Sequence, residues 1–482
     1  MAGTAPMGSD GLLASKEIVR RPRHLPARIF HRAQDLASFP DRKTAQDTYW
    51  DLSSKHDGFS HSFFTLADGR KLHYVSNALP PGQSKTSNLV IFLHGWPDSW
   101  MLWRGVWASM SAEARSTAKL VAVDLPGFGG SDSLDAYGPD NVLEAVSEFI
   151  IGMRDHFLDA EDTKTAAATL NPRTIVVCHD WGSLIGFRLA AEAPQLAERF
   201  IISNGSIAHL TRSNIIQRLA VAKRLLVTWS RAPTNFRLLR SAFASIAPVL
   251  AQLKSSTYVA VYNLPPPFPQ IFGALGGKWF LRYATSLAVG SETVVHTKAA
   301  AGHLASSLGP STAVLDTRTE SNEGYPASVH KRATQGNFFE SVRVYREGLA
   351  VKRWNKSLNL LAELHAVDQS SPSLASQRRN SSGTGLINDG PPGALRAPTT
   401  VIWGAGDPAL QKVLMVEGIR EYMLCAGSGV VTVEDVGHWV PSDGRGTSVF
   451  AKTVSWAIEG EKGGLDQVLS GEGENVKVEN LV

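Results

Sequence analysis

Only two cysteines, Cys178 and Cys425, occur in 482 residues, and they stand far apart. That argues against a disulfide framework and fits a reducing, cytoplasmic setting. Uninterrupted apolar runs of about 18 residues or more, the length a spanning helix needs, are missing as well. The nearest approach, residues 264–281, is broken by Pro265, Pro266, Pro267, Pro269 and Lys278 and reads as an apolar lid segment, with contact at a membrane surface as the lesser alternative. Charge of one sign is not in large excess. The net charge of +4 comes without a long basic block, so nucleic acid is not an expected partner. The N-terminal stretch through Arg32 holds Arg20, Arg21, Arg23, Arg28 and Arg32, but Asp10 and Glu17 interrupt it and no apolar signal core is present. It reads first as a basic surface extension, with a transit peptide for an organelle as the alternative. Internal repeats are also lacking.

What is present is the make-up of an ordinary globular protein, with 43% apolar and 19% charged residues. The length exceeds that of most single domains and calls for a core with an inserted or appended part. Residues 88–93, 119–123 and 173–178 are short, apolar, β-branched runs bounded by loop residues, as buried parallel strands are. Residues 199–203, 399–403 and 430–434 read the same way. An alternating pair, 59–65 and 71–75, joined by Ala67-Asp68-Gly69, reads as an antiparallel hairpin leading into the sheet. Helical patterns separate the strands, for example at 183–193. The fold class expected is therefore α/β, a doubly wound and mostly parallel sheet.

The alternation stops near residue 206 and resumes near 397. Between them lie helical runs at 215–227 and 241–253, then the proline cluster, with no buried strand. This reads as an inserted helical cap whose last part, 370–396, is a loop rich in Ser, Gly, Asn and Pro. The expected division is an extension at 1–57, a core at 58–205 and 397–460, a cap at 206–396 and a fraying tail at 461–482.

Chemistry concentrates in four loops. Cys178-His179-Asp180-Trp181-Gly182-Ser183 joins a buried strand to a helix, the context of a nucleophile elbow with Asp180 in the nucleophile's place. The alternative is that Asp180 merely caps the helix. His94-Gly95-Trp96-Pro97 follows another strand, and the amides of Trp96 and Trp181 could form a two-donor oxyanion hole. The glycine-rich loop Asp124 to Ser131 lies at the same face but is a weak signal by itself. Gly404-Ala405-Gly406-Asp407 and Val436-Gly437-His438-Trp439 complete the order nucleophile, acid, base on loops at strand carboxyl ends. Of the 14 histidines, His438 is the candidate base. His296, His303 and His330 lack paired ligand spacing and read as surface or lid residues.

Together, His94-Gly95-Trp96-Pro97, His179-Asp180-Trp181-Gly182 and Gly437-His438-Trp439 resemble the soluble epoxide hydrolase branch of the α/β-hydrolases, relatives of the haloalkane dehalogenases. The resemblance runs over roughly residues 58–460. It implies two cap tyrosines that hold and protonate an epoxide oxygen. Tyr258 and Tyr345 match them, with Tyr262 and Tyr325 as alternatives. It implies hydrolysis of a small apolar epoxide by water, through an ester on Asp180, with no metal or organic cofactor. Haloalkane dehalogenation and non-catalytic ligand binding are the rival readings. The sequence departs from the family pattern at Cys178, in the long N-terminal extension and in the length of 360–395. The cap aromatics Trp229, Phe268, Phe272, Trp279, Phe280 and Tyr283 are expected to line an apolar pocket.

Overall fold

The computed structural model describes residues 40–79, 86, 88–158, 173–265, 267–269, 271, 281, 283–286, 298–336, 338–370 and 390–482. The basic N-terminal arginines, Phe272, Trp279, Phe280, His296, most of the 264–281 segment and residues 371–389 of the expected loop lie outside them.

Ten strands form one sheet in the order β1-β2-β3-β5-β4-β6-β7-β8-β9-β10. In chain order they are β1 (Lys55–His56), β2 (Phe59–Thr65), β3 (Lys71–Asn77), β4 (Asn88–Leu93), β5 (Lys119–Val123), β6 (Arg173–His179), β7 (Arg199–Ser203), β8 (Thr399–Gly404), β9 (Gly429–Val433) and β10 (Val476–Asn480). From β5 to β9 the pairings are parallel, while β1 to β3 form the expected antiparallel arm. Every residue of β4, β5 and β7 is buried, as strands covered by helices on both faces must be. Helices Pro139–Phe157 and Trp181–Glu192 contribute to one apolar cluster and Gly444–Ile458 to another. That sandwiching reflects a doubly wound sheet.

Two expectations at the chain ends are corrected. The tail does not simply fray: Leu465–Leu469 is helical and β10 pairs antiparallel with β9. Val476 and Val478 alternate with exposed Lys477 and Glu479, so a half-buried edge strand satisfies the segment. At the other end, the helix Pro40–Tyr49 is part of the packed body. It lies against Lys298–Leu308, Gln46 donates to the Gly309 carbonyl at 2.8 Å, and the Trp50 indole donates to that of Ala305 at 3.0 Å. Trp50 is fully buried.

Between β7 and β8 stand only helices among the described residues. Ala208–Arg231 and Phe236–Ser255 form a long hairpin, followed directly by Thr257–Tyr262, and later by Lys298–Leu308, Ala327–Gln335, Phe338–Ser341 and Leu358–Ser370.

Candidate active site

Parallel strands present their carboxyl ends on one edge of a sheet, and the loops there can converge. Trp96 follows β4, Asp180 follows β6, Asn204 follows β7, Asp407 follows β8 and His438 follows β9. The turn at Asp180 is sharp, with φ 51° and ψ −112°, a conformation that costs a non-glycine residue about 1–3 kcal/mol. Its side chain does not cap the helix behind it. Instead, Oδ2 accepts the Trp96 amide at 2.8 Å. The simple helix-cap reading of Asp180 is thereby set aside. Trp181, the other expected amide donor, is the first residue of that helix, whose N-terminal dipole favours an anion.

Close packing demands glycine at two places. A Cβ on Gly182 would lie 2.3 Å from the Leu93 carbonyl oxygen, and one on Gly95 would lie 2.4 Å from the Asp180 Cβ. His94 steadies the second of these loops. Its Nε2 accepts the Leu125 amide at 2.9 Å, so Nδ1 carries the proton and donates to the Gly95 carbonyl at 2.7 Å.

His438 stands between two carboxylates. Its Nδ1 donates to Asp407 Oδ2 at 2.8 Å, and its Nε2 lies 3.4 Å from Asp180 Oδ1. Burial alone would lower the imidazole pKa, but Asp407 and Asp180 outweigh it and raise it to about 10. Burial likewise opposes charge on Asp407, yet His438, Asn204 and the Leu410 amide hold its carboxyl below the ordinary value. Asn204 donates to Asp407 Oδ2 at 2.6 Å, while the Ala409 and Leu410 amides reach Oδ1 at 2.7 and 2.9 Å. Sequence reasoning missed Asn204. Its signal was a small polar residue directly after a buried strand and before glycine.

The cap supplies the facing wall. The Tyr345 ring meets Trp181 at 4.6 Å, Tyr262 at 5.3 Å and Tyr258 at 5.9 Å between centroids. The Tyr345 ring thus stands edge-on between those of Trp181 and Tyr258. Burial pushes both phenol pKa values up, and the Asp180 charge pushes them further. Both hydroxyls therefore hold their protons at neutral pH. Tyr262 belongs to the same aromatic group and is fully buried. Tyr325 does not: its hydroxyl donates to the Trp50 carbonyl at 2.6 Å, beside His73.

Other cap expectations change. Phe268 and Tyr283 are exposed, and the Trp229 indole donates to the Pro233 carbonyl at 3.1 Å, within the hairpin turn. The aromatic wall comes from Trp96, Trp181, Tyr258, Tyr262, Phe338 and Tyr345 instead. His303, expected at the surface or lid, has a buried side chain with Nε2 3.3 Å from Asp98 Oδ1. Asp98 Oδ2 accepts the Trp439 indole at 2.9 Å, and His438 packs edge-on against that indole. Burial pushes Asp98 up to about 7 and His303 down to about 4. The Asp124 loop braces the structure: its carboxylate binds His73 Nδ1 at 2.8 Å and the Trp100 and Gly130 amides at 2.8 and 2.9 Å. A separate surface cleft of about 600 Å³, lined by residues including Arg188, His209 and Arg396, contains none of the Asp180, Asp407 and His438 side chains. Among the described residues, no group of three or more His, Cys, Asp or Glu side chains is placed to hold a metal ion.

Residues 88–238, which carry the Trp96 loop and the Asp180 elbow, match the alpha/beta hydrolase fold family. That match takes in β4 to β7 and the start of the helical insertion. Among curated relatives, epoxide hydrolase 3 of Mus musculus is 30% identical over 156 residues, 30% of this chain and 36% of that protein. A haloalkane dehalogenase of Sphingobium indicum is 33% identical over 129 residues, 27% of this chain and 36% of that one. The matched stretch thus spans about a third of the length of these relatives. The crystal structure of a Bacillus megaterium epoxide hydrolase with an inhibitor aligns over 83% of this chain and 100% of its own, at 16% identity and a TM-score of 0.43. No helix among the described residues is long and apolar enough to cross a membrane.

Proposed function

We propose that this α/β-hydrolase converts epoxides to vicinal diols, with Asp180 as nucleophile, Asp407 and His438 as the charge-relay partners, Tyr258 and Tyr345 as acids, and the Trp96 and Trp181 amides as the oxyanion hole. The observation that carries the reading is the cap tyrosine pair beside the elbow: the Tyr345 ring lies 4.6 Å from that of Trp181 and 5.9 Å from that of Tyr258, near enough for the Asp180 charge to add to the rise of both phenol pKa values. An aspartate gains nothing from a base, so it acts as a carboxylate on an electrophilic carbon. A strained epoxide is such a carbon, provided that an acid meets the oxygen as the ring opens.

Asp180 attacks one epoxide carbon, the carbon–oxygen bond breaks, and a tyrosine proton goes to the alkoxide. The ester so formed carries no charge at Asp180. One of the two carboxylates that keep His438 protonated has then gone, and its pKa falls. The imidazolium proton, returned through solvent, restores the tyrosine and leaves His438 neutral. His438 Nε2 next takes a proton from water, which attacks the ester carbonyl. The Trp96 and Trp181 amides receive the tetrahedral oxyanion, and its collapse frees the diol and Asp180.

The curated relatives also include haloalkane dehalogenases, which makes halide release the second reading. One of the two indole hydrogens that could hold a halide is engaged elsewhere: that of Trp96 donates to Ser341 Oγ at 3.1 Å. The test is a panel of epoxides, haloalkanes and activated esters, read for diol, halide and acid. Diol from epoxides without halide release is the expected result. Halide release without diol formation would replace the reading with dehalogenation, and binding without turnover would leave a ligand-binding protein.

A further inference from the structure

The cap hairpin, residues 208–255, has a composition unlike the rest of the chain. It holds eight Lys and Arg residues and not one Asp or Glu. Removing these eight from the chain's 48 basic and 44 acidic residues leaves the remainder net acidic. Only Arg218 has an ion-pair partner among the described residues, namely Glu417.

The same hairpin turns large apolar side chains outward. On Ala208–Arg231, Ile216, Leu219, Lys223 and Leu226 follow at three- and four-residue spacing, which places them on one face, and all are exposed. On Phe236–Ser255, Phe236, Arg240, Phe243, Ala247, Leu250 and Lys254 do the same, with Phe236 70% and Phe243 58% exposed. The buried positions are few: Leu210, Asn214 and Ala222 on the first helix and Ala242 and Val249 on the second. Apolar stripes threaded with unpaired cations are the pattern of a helix that lies in a lipid–water boundary.

We propose that this hairpin is a docking face for an anionic lipid bilayer, bound peripherally. Lys223, Arg240 and Lys254 would meet negatively charged headgroups, and Phe236, Phe243 and Leu226 the acyl boundary. A second copy of the chain fits the face less well, because two such hairpins would bring cations against cations. The hairpin runs directly into the helix Thr257–Tyr262, so docking sets the cap that carries Tyr258 against the membrane. The inference does not depend on which reaction the site performs.

The experiment is co-sedimentation of the full chain with vesicles of phosphatidylcholine alone or mixed with phosphatidylserine, at low and high salt. Binding should favour the mixed vesicles and weaken as salt screens the charges. Two double variants, Phe236→Ser with Phe243→Ser and Lys223→Glu with Arg240→Glu, should each lower partitioning on the order of tenfold or more. Their far-UV dichroism and Tm should stay at wild-type values, since the side chains are exposed. Equal binding to both vesicle types, or no binding, overturns the proposal. So does wild-type partitioning by both variants, or a dimer in sedimentation velocity that the variants abolish while vesicle binding stays absent.

Discussion

Replacing Asp180 by Asn keeps the shape of the side chain and its oxygen for the Trp96 amide, but removes one of the two charges beside His438. The size of the effect follows from the separation of 3.4 Å between Asp180 Oδ1 and His438 Nε2. At that distance two unit charges attract by about 1 kcal/mol in the dielectric of water and about 5 kcal/mol at an effective dielectric of 20. The Asp180 side chain is 18% exposed, so the true value lies inside that interval. One pH unit corresponds to about 1.4 kcal/mol, so the His438 midpoint should fall on the order of one to three units. The assay is an NMR titration of the His438 imidazole in wild type and in Asp180→Asn, with Asp407 intact in both. The same fall should accompany alkylation of Asp180, which is what frees His438 to act as a base. An unchanged or higher midpoint in Asp180→Asn would refute the reasoning, because the carboxylate would then not be what holds the proton.

A single turnover in oxygen-18 water should place label in Asp180 and not in the diol; label in the first-turnover diol would exclude the ester. His438→Gln should accumulate enzyme carrying the mass of the substrate, while Asp180→Ala should show no adduct by mass spectrometry. Tyr258→Phe and Tyr345→Phe each remove one hydroxyl and should slow alkylation on the order of a hundredfold, with hydrolysis of a preformed ester little changed; wild-type alkylation rates in both would reduce the tyrosines to packing. The raised pKa of His438 means that its contribution to stability is complete below the unfolded value of 6.5 and is lost as pH rises towards about 10. Tm should therefore fall across that window, and less steeply in Asp180→Asn.

Where the sequence was legible, a local pattern coincided with a tertiary need. Residues 88–93, 119–123 and 199–203 become β4, β5 and β7 with unchanged bounds, because strands buried on both faces must be apolar along their whole length. The closeness of Asp180 and His438 could be expected because elbow and loop signatures record steric demands that few residues meet. β10 was not. Val476 and Val478 are ordinary until β9 offers them an edge, and five residues in a polar tail give no period long enough to read. The hairpin helices extend well past the runs at 215–227 and 241–253, because their apolar residues face solvent as well as the interior and blur the period. His303 and Asp98 were missed for a different reason. They are 205 residues apart in the chain, and neither carries a local signature of its partner.

That second buried pair leads to a prediction about the site's charge. Asp98 has one direct donor, the Trp439 indole, and lies 3.3 Å from a histidine whose own burial pulls its pKa down to about 4. Near neutral pH, His303 is therefore uncharged and does not neutralise Asp98. Burial, assisted by the Asp180 charge, pushes the Asp98 carboxyl up to about 7, while the Trp439 hydrogen bond works the other way. Trp439→Phe keeps the ring's bulk and removes that hydrogen bond, so Asp98 should rise further and stay protonated at neutral pH. The site would then lose a partial negative charge close to His438, and the His438 midpoint should drop. Asp98→Asn should produce the same drop, and combining the two substitutions should add little, because both act through one carboxyl. NMR titration of His438 in the three variants decides it. Additive drops would show that Trp439 influences His438 through direct ring packing, not through Asp98.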